Sequence, residues 1–121
     1  MATLYERLGG YDAIAAAVDD LMPRLIKDPE IGVFWRGQGD DTKRRQRQLL
    51  VDFLASAFGG PVMYTGREMV TVHTGMNIAE RDWDVFVRHA IATLDKLGVT
   101  GKEREDFLAA AGGLKPTIVG I

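Results

Sequence analysis

Apolar residues in this 121-residue chain recur at helical spacing, in runs that end on glycine or proline. Ile14, Val18, Leu21, Met22, Leu25 and Ile26 trace one face of a helix over 11–27. Asp28-Pro29 stops it, because the residue before a proline is pushed out of helical geometry. Leu49, Leu50, Phe53, Leu54, Ala57 and Phe58 trace a second helix over 42–58, closed by Gly59-Gly60-Pro61. Trp83, Phe86, Val87, Ala90, Ile91 and Leu94 trace a third that runs to Leu97 and Gly98. Shorter helices are predicted over 3–8, over 67–73 up to Gly75, and from Thr100 through Phe107, Leu108 and Ala111, before Gly112-Gly113 and Pro116. Thr3/Glu6, Asn77/Glu80 and Thr100/Glu103 have the spacing of capping boxes. Ile31, Val33, Phe34 and Trp35 fall in a short turn, followed by a polar loop. Strict alternation never outruns the helical period, so the predicted class is all-α. A chain of this length supports one core, and a single domain over 1–121 is predicted.

Charge and composition remove several functions. Lys and Arg number 15 against 17 Asp and Glu, a net charge of −2, which argues against nucleic acid as a partner. The basic run Lys43-Arg44-Arg45-Gln46-Arg47 fans around a helix instead of forming a strip, and reads as a solvated helix start. There is no cysteine, so disulfides, thiolate metal sites, iron–sulfur clusters and a cysteine nucleophile are excluded. A cytoplasmic protein is free to have such a composition, and the cytoplasm is the expected compartment. No apolar run approaches the ~18 residues of a membrane span, and Met1 to Glu6 lacks a basic-then-apolar leader. Gly9-Gly10 has no Lys-Ser/Thr sequel for a phosphate loop, and no His-Glu-x-x-His is present. Asp19-Asp20 and Asp40-Asp41 read as surface and cap residues, not acid/base dyads.

Two polar residues interrupt the apolar faces. Gln46 falls on the helical face of Leu50, Phe53 and Ala57. It reads either as a satisfied core amide near a helix start or as a donor aimed at a ligand. His73 shares a face with Met69, Val72 and Met76, and reads either as a core histidine or as a metal ligand. The ligand reading is favoured because the segment is short and its neighbours are methionine and β-branched, which suits a large flat apolar ligand. One imidazole cannot hold zinc but does hold heme iron. The other histidine, His89, lies off the stripe near Asp82 and Lys96 and reads as partly exposed.

Leu4-Tyr5-Glu6-Arg7-Leu8-Gly9-Gly10, Phe53-Leu54 to Gly59-Gly60-Pro61, Tyr64-Thr65-Gly66-Arg67, and His73-Thr74-Gly75 with Ile78 resemble the truncated (2-on-2) hemoglobins, closest to their first group. The resemblance covers about 3–99. It implies a helical sandwich around one noncovalent b-type heme, with His73 as the proximal iron ligand. It also implies that Phe34, Trp35, Leu50, Phe53, Leu54, Met69, Val72, Ile78, Trp83 and Phe86 bind the cofactor, and that Arg47, Tyr64 and Arg67 meet the propionates. Met22, Trp35, Gln46 and Leu50 would form the distal pocket. Several positions depart from the family pattern. Met22 stands where relatives carry a distal tyrosine, and Trp35 stands where a phenylalanine packs on the heme. Leu49 replaces the histidine of bis-histidyl relatives. No histidine follows His89, so covalent attachment through a late histidine is excluded.

The function implied is reversible binding of dioxygen, nitric oxide or carbon monoxide at five-coordinate iron. The alternative is a redox enzyme, a nitric oxide dioxygenase, nitrite reductase or peroxidase-like catalyst with a reductase as partner. Binding is favoured because neither Met22 nor Gln46 titrates usefully as a distal acid or base. A helical interaction module without cofactor is the third reading. Bound dioxygen would be held by donors from Gln46 and Trp35.

Overall fold

The computed structural model describes residues 2–121; Met1, at the head of the segment read for a leader, lies outside them. The helices are α1 (Leu4–Leu8), α2 (Tyr11–Lys27), α3 (Asp40–Ala57), α4 (Met69–His73), α5 (Glu80–Lys96) and α6 (Gly101–Gly112). Short 3-10 turns lie at Gly32–Trp35 and Lys115–Thr117. The class is all-α, with no strand among the described residues.

Of the three capping boxes, only the first forms. Glu6 N–H donates to Thr3 Oγ1 at 3.1 Å, and Thr3 N–H donates to Glu6 Oε1 at 3.3 Å. At α5 the Ala79 N–H donates to Asp82 Oδ2 at 2.8 Å, while Asn77 has a φ of 57° and turns the chain instead of capping it. Thr100 makes no side-chain cap at α6, and Glu103 instead faces Arg7 of α1 at 3.4 Å. α3 starts at Asp40, before the predicted Thr42, because Asp40 and Asp41 suit the positive end of a helix. α4 starts at Met69, so Arg67 belongs to the loop.

α2 is the spine. It runs through exposed Pro23, at a cost of about 3 kcal/mol, because the flanking Leu21, Met22 and Leu25 are all buried at about 1.5–3 kcal/mol each. One core cluster joins Ile14, Val18 and Met22 of α2 to Val51 and Ala55 of α3, with Phe58, Leu94 and Phe107 closing it. A second joins Leu21 and Leu25 to Ile31, Val85 and Ala90. α3 and α5 both lie on α2 and make no comparable contact with each other. Apolar residues at the margins of the clusters stay half-buried: Leu50 and Leu54 beside the first, Phe34, Trp35 and Phe86 beside the second.

Polar ties fix the angles. Arg47 of α3 grips Asp19 of α2 with two bonds, 2.8 and 3.0 Å. Asp20 of α2 takes Thr93 Oγ1 of α5 at 2.7 Å and Arg24 Nε at 2.8 Å, with Lys96 at 3.3 Å. Asp20 is therefore a helix-to-helix tie, not the surface residue that its sequence suggested. Gly32 seats the 3-10 turn against the end of α2, where a Cβ would lie 2.4 Å from the Ile26 carbonyl oxygen.

Candidate functional site

α4 is a five-residue helix that buries none of its residues. Its last residue is His73, whose Nδ1 lies 2.8 Å from the Met69 carbonyl oxygen. A carbonyl oxygen only accepts, so the Nδ1 proton donates to it. The neutral ring then keeps its lone pair on Nε2, which has no hydrogen-bond partner among the described residues. The following turn is made by Gly75, with a φ of 82° that a side chain rarely adopts.

The Trp35 indole N–H donates to Gln46 Oε1 at 3.0 Å. The indole is donor-only, so the amide must turn its oxygen to it and its NH2 away. Both readings of Gln46 thus meet: its oxygen is satisfied within the protein, and its nitrogen remains a donor. The Trp35 N–H is committed to Gln46, and Trp35 offers only its ring surface. Gln46, Leu50 and Phe53 share a face of α3 by their spacing, and all are half-buried. Met22 is buried in the α2–α3 core cluster.

The remaining residues are distributed as follows. Trp83 is buried and Phe86 half-buried, with their rings 5.1 Å apart. Phe53 meets Tyr64 edge-on at 5.2 Å. The Tyr64 hydroxyl donates to the Arg67 carbonyl at 2.6 Å, and the Arg67 side chain is exposed. Met69, Val72 and Ile78 are half-buried. Arg47 is held by Asp19, so it does not stand apart as a loose cation. Within the basic run Arg44 pairs with Asp41 and Arg47 with Asp19.

Sequence reasoning missed Asp28. Its Oδ1 accepts the Glu30 and Ile31 amides at 2.8 and 3.1 Å, and its Oδ2 accepts from His89 Nε2 at 2.7 Å. His89 above all, then the Ile31 and Glu30 amides, hold this carboxyl below the usual carboxylate range against the opposing effect of burial. Asp28 thereby ties the turn bearing Phe34 and Trp35 to α5. His89, placed near Asp82 and Lys96 by sequence, is half-buried against Asp28 instead. An aspartate that receives the amides two and three residues on was a visible signal, read only as a helix stop.

The residues present fit an iron porphyrin. The donor set is one imidazole that donates through Nδ1, on a short helix whose Met69 and Val72 are half-buried, and no cluster of three or more metal-ligating side chains exists among the described residues.

The family model described as bacterial-like globin matches residues 3–119. The chain is 36% identical over 98 residues to the group 1 truncated hemoglobin of Tetrahymena pyriformis, covering 81% of this chain and 78% of that one. It is 34% identical over 119 residues to the group 1 truncated hemoglobin GlbN of Nostoc commune, covering 98% of each. The crystal structure of truncated hemoglobin from Tetrahymena pyriformis in its Fe(III) form superposes with a TM-score of 0.90, at 29% identity, covering 99% of this chain and 100% of that one.

Proposed function

The chain belongs to the bacterial-like globin family, as a truncated hemoglobin, and from there we propose that it holds noncovalent heme b on His73 and binds dioxygen, nitric oxide or carbon monoxide reversibly. The observation that supports this reading is the His73 Nδ1–H bond to the Met69 carbonyl, which leaves the Nε2 lone pair available to a metal. A heme held there supplies an iron with one position left for a small ligand. Phe34, Trp35, Leu50, Phe53, Leu54, Met69, Val72, Ile78, Trp83 and Phe86 hold its apolar faces and edges. Arg67 and Tyr64 serve the propionate rim, and Arg47 joins them by exchanging Asp19 for a propionate. Gln46 is the distal donor, with its amide orientation set by Trp35. Met22 fills space behind the ligand with its thioether. Neither Gln46 nor Met22 moves protons in the range where an acid/base catalyst works, which favours binding over turnover. The whole chain forms one domain, and the cytoplasm is the compartment proposed for it.

The test is an optical spectrum in ferric, ferrous and carbonyl forms. A strong Soret band, with a five-coordinate ferrous form that takes up carbon monoxide, is the expected result. A colourless protein would leave the helical interaction module standing. Turnover of nitric oxide or peroxide far above that of dissolved heme would make it an enzyme, with a reductase as partner.

A further inference from the structure

We infer that the segment Lys115–Ile121 is a clamp that positions His73, and so governs how firmly the chain keeps its heme; this rests on the heme reading above. α4 buries nothing and has no side-chain cap. The turn after it contains two residues of positive φ, Gly75 and Asn77. Such a segment has little to hold it from within. The segment after α6 supplies the support. Its 3-10 turn, Lys115–Thr117, packs on α4. The Gly75 N–H donates to Ile121 O at 3.1 Å, and the Gly120 N–H donates to the Ile78 carbonyl at 2.9 Å. Lys115 Nζ reaches Glu80 Oε2, at the first turn of α5, at 2.6 Å. These contacts follow His73 along the chain, at Gly75, Ile78 and Glu80.

The clamp is itself built. Thr117 Oγ1 donates to the Leu114 carbonyl at 2.6 Å, and the Ile118 and Val119 amides both donate to the Lys115 carbonyl. Glu80 is 70% exposed at its side chain, so the ion pair is the weaker restraint and the two backbone bonds are the stronger. Gly120 has a φ of 72°, which proline cannot adopt. Gly120→Pro therefore removes both the donor and the geometry.

The test uses the heme-loaded full chain and its Gly120→Pro variant. Three readouts are compared: amide hydrogen exchange at Gly75, the iron–histidine stretching band of the ferrous form, and the rate of heme transfer to excess heme-free acceptor globin. Losing the clamp is expected to raise Gly75 exchange and heme loss by about three- to tenfold, the scale of one or two net hydrogen bonds, and to shift or broaden the band. Exchange at Val18 and Val51, in the α2–α3 core, should not change. A milder pair checks the same point: Lys115→Glu should speed heme loss slightly, and adding Glu80→Lys should restore it. Wild-type heme loss and an unchanged band in Gly120→Pro would overturn the clamp. Equal acceleration at Val18 and Val51 would also overturn it, since the segment would then brace the whole fold. If the wild-type chain takes up no heme at all, the heme reading fails, and Gly75 exchange in the full chain then decides the clamp alone.

Discussion

The indole of Trp35 and the amide of Gln46 form one unit: a 3.0 Å bond from Nε1 to Oε1 joins the 3-10 turn to α3 and determines which end of the amide faces outward. On the proposed reading Met22 stands where relatives carry a distal tyrosine, and this amide is the donor to a bound ligand. Replacing Gln46 with Leu should speed dioxygen release by about 2- to 13-fold, the scale of one neutral hydrogen bond. Trp35→Phe keeps the ring surface and frees the amide to rotate, so it should give a smaller rise. The double variant should be no faster than Gln46→Leu alone. Stopped-flow dioxygen off-rates check this, and additive effects would show that Trp35 and Gln46 act separately.

His73→Gly should remove the axial bond to iron, because no second imidazole stands nearby; His89 is held against Asp28. Added imidazole should restore the five-coordinate ferrous spectrum. Unchanged axial ligation in the variant would mean that His73 is not the ligand.

Met22→Leu tests whether sulfur reaches the metal. Met22 lies in the core cluster with Ile14, Val18 and Val51, so its thioether should be packing. The ferric and ferrous spectra should match the wild type, and stability should fall by less than about 1.5 kcal/mol, as for other volume-conserving core exchanges. A loss of a six-coordinate signal would contradict this.

Asp20 gives a defined acid response. Arg24 first, then Thr93 and Lys96, lower its carboxyl to about 2 from 3.8, against the effect of burial. A group with a depressed folded pKa contributes stability that is present above its unfolded value and is lost as pH falls toward the folded one. Asp20→Asn should therefore destabilise the chain at neutral pH. Its stability should also fall less steeply than wild type between about pH 4 and pH 2. Thermal unfolding midpoints across that range, with the heme-free state as control, measure the difference.

Local periodicity alone determined much of this protein. The stripe Ile14, Val18, Leu21, Met22, Leu25 specified α2 because each residue must find an apolar partner on the same face, and glycine and proline placed the breaks. The histidine at the end of a short apolar segment was legible for the same reason: it was the one imidazole on an apolar face. Tertiary structure decided what local pattern does not encode. It turned Asn77 and Thr100 away from capping: Glu80 pairs with Lys115, and Glu103 faces Arg7. It made Asp28 and Asp20 into ties across helices, directed Trp35's N–H to Gln46, and laid Lys115–Ile121 against the turn after His73. Each of these depends on partners far apart along the chain, and a hydrogen bond between such partners exists only once packing has brought them within about 3 Å.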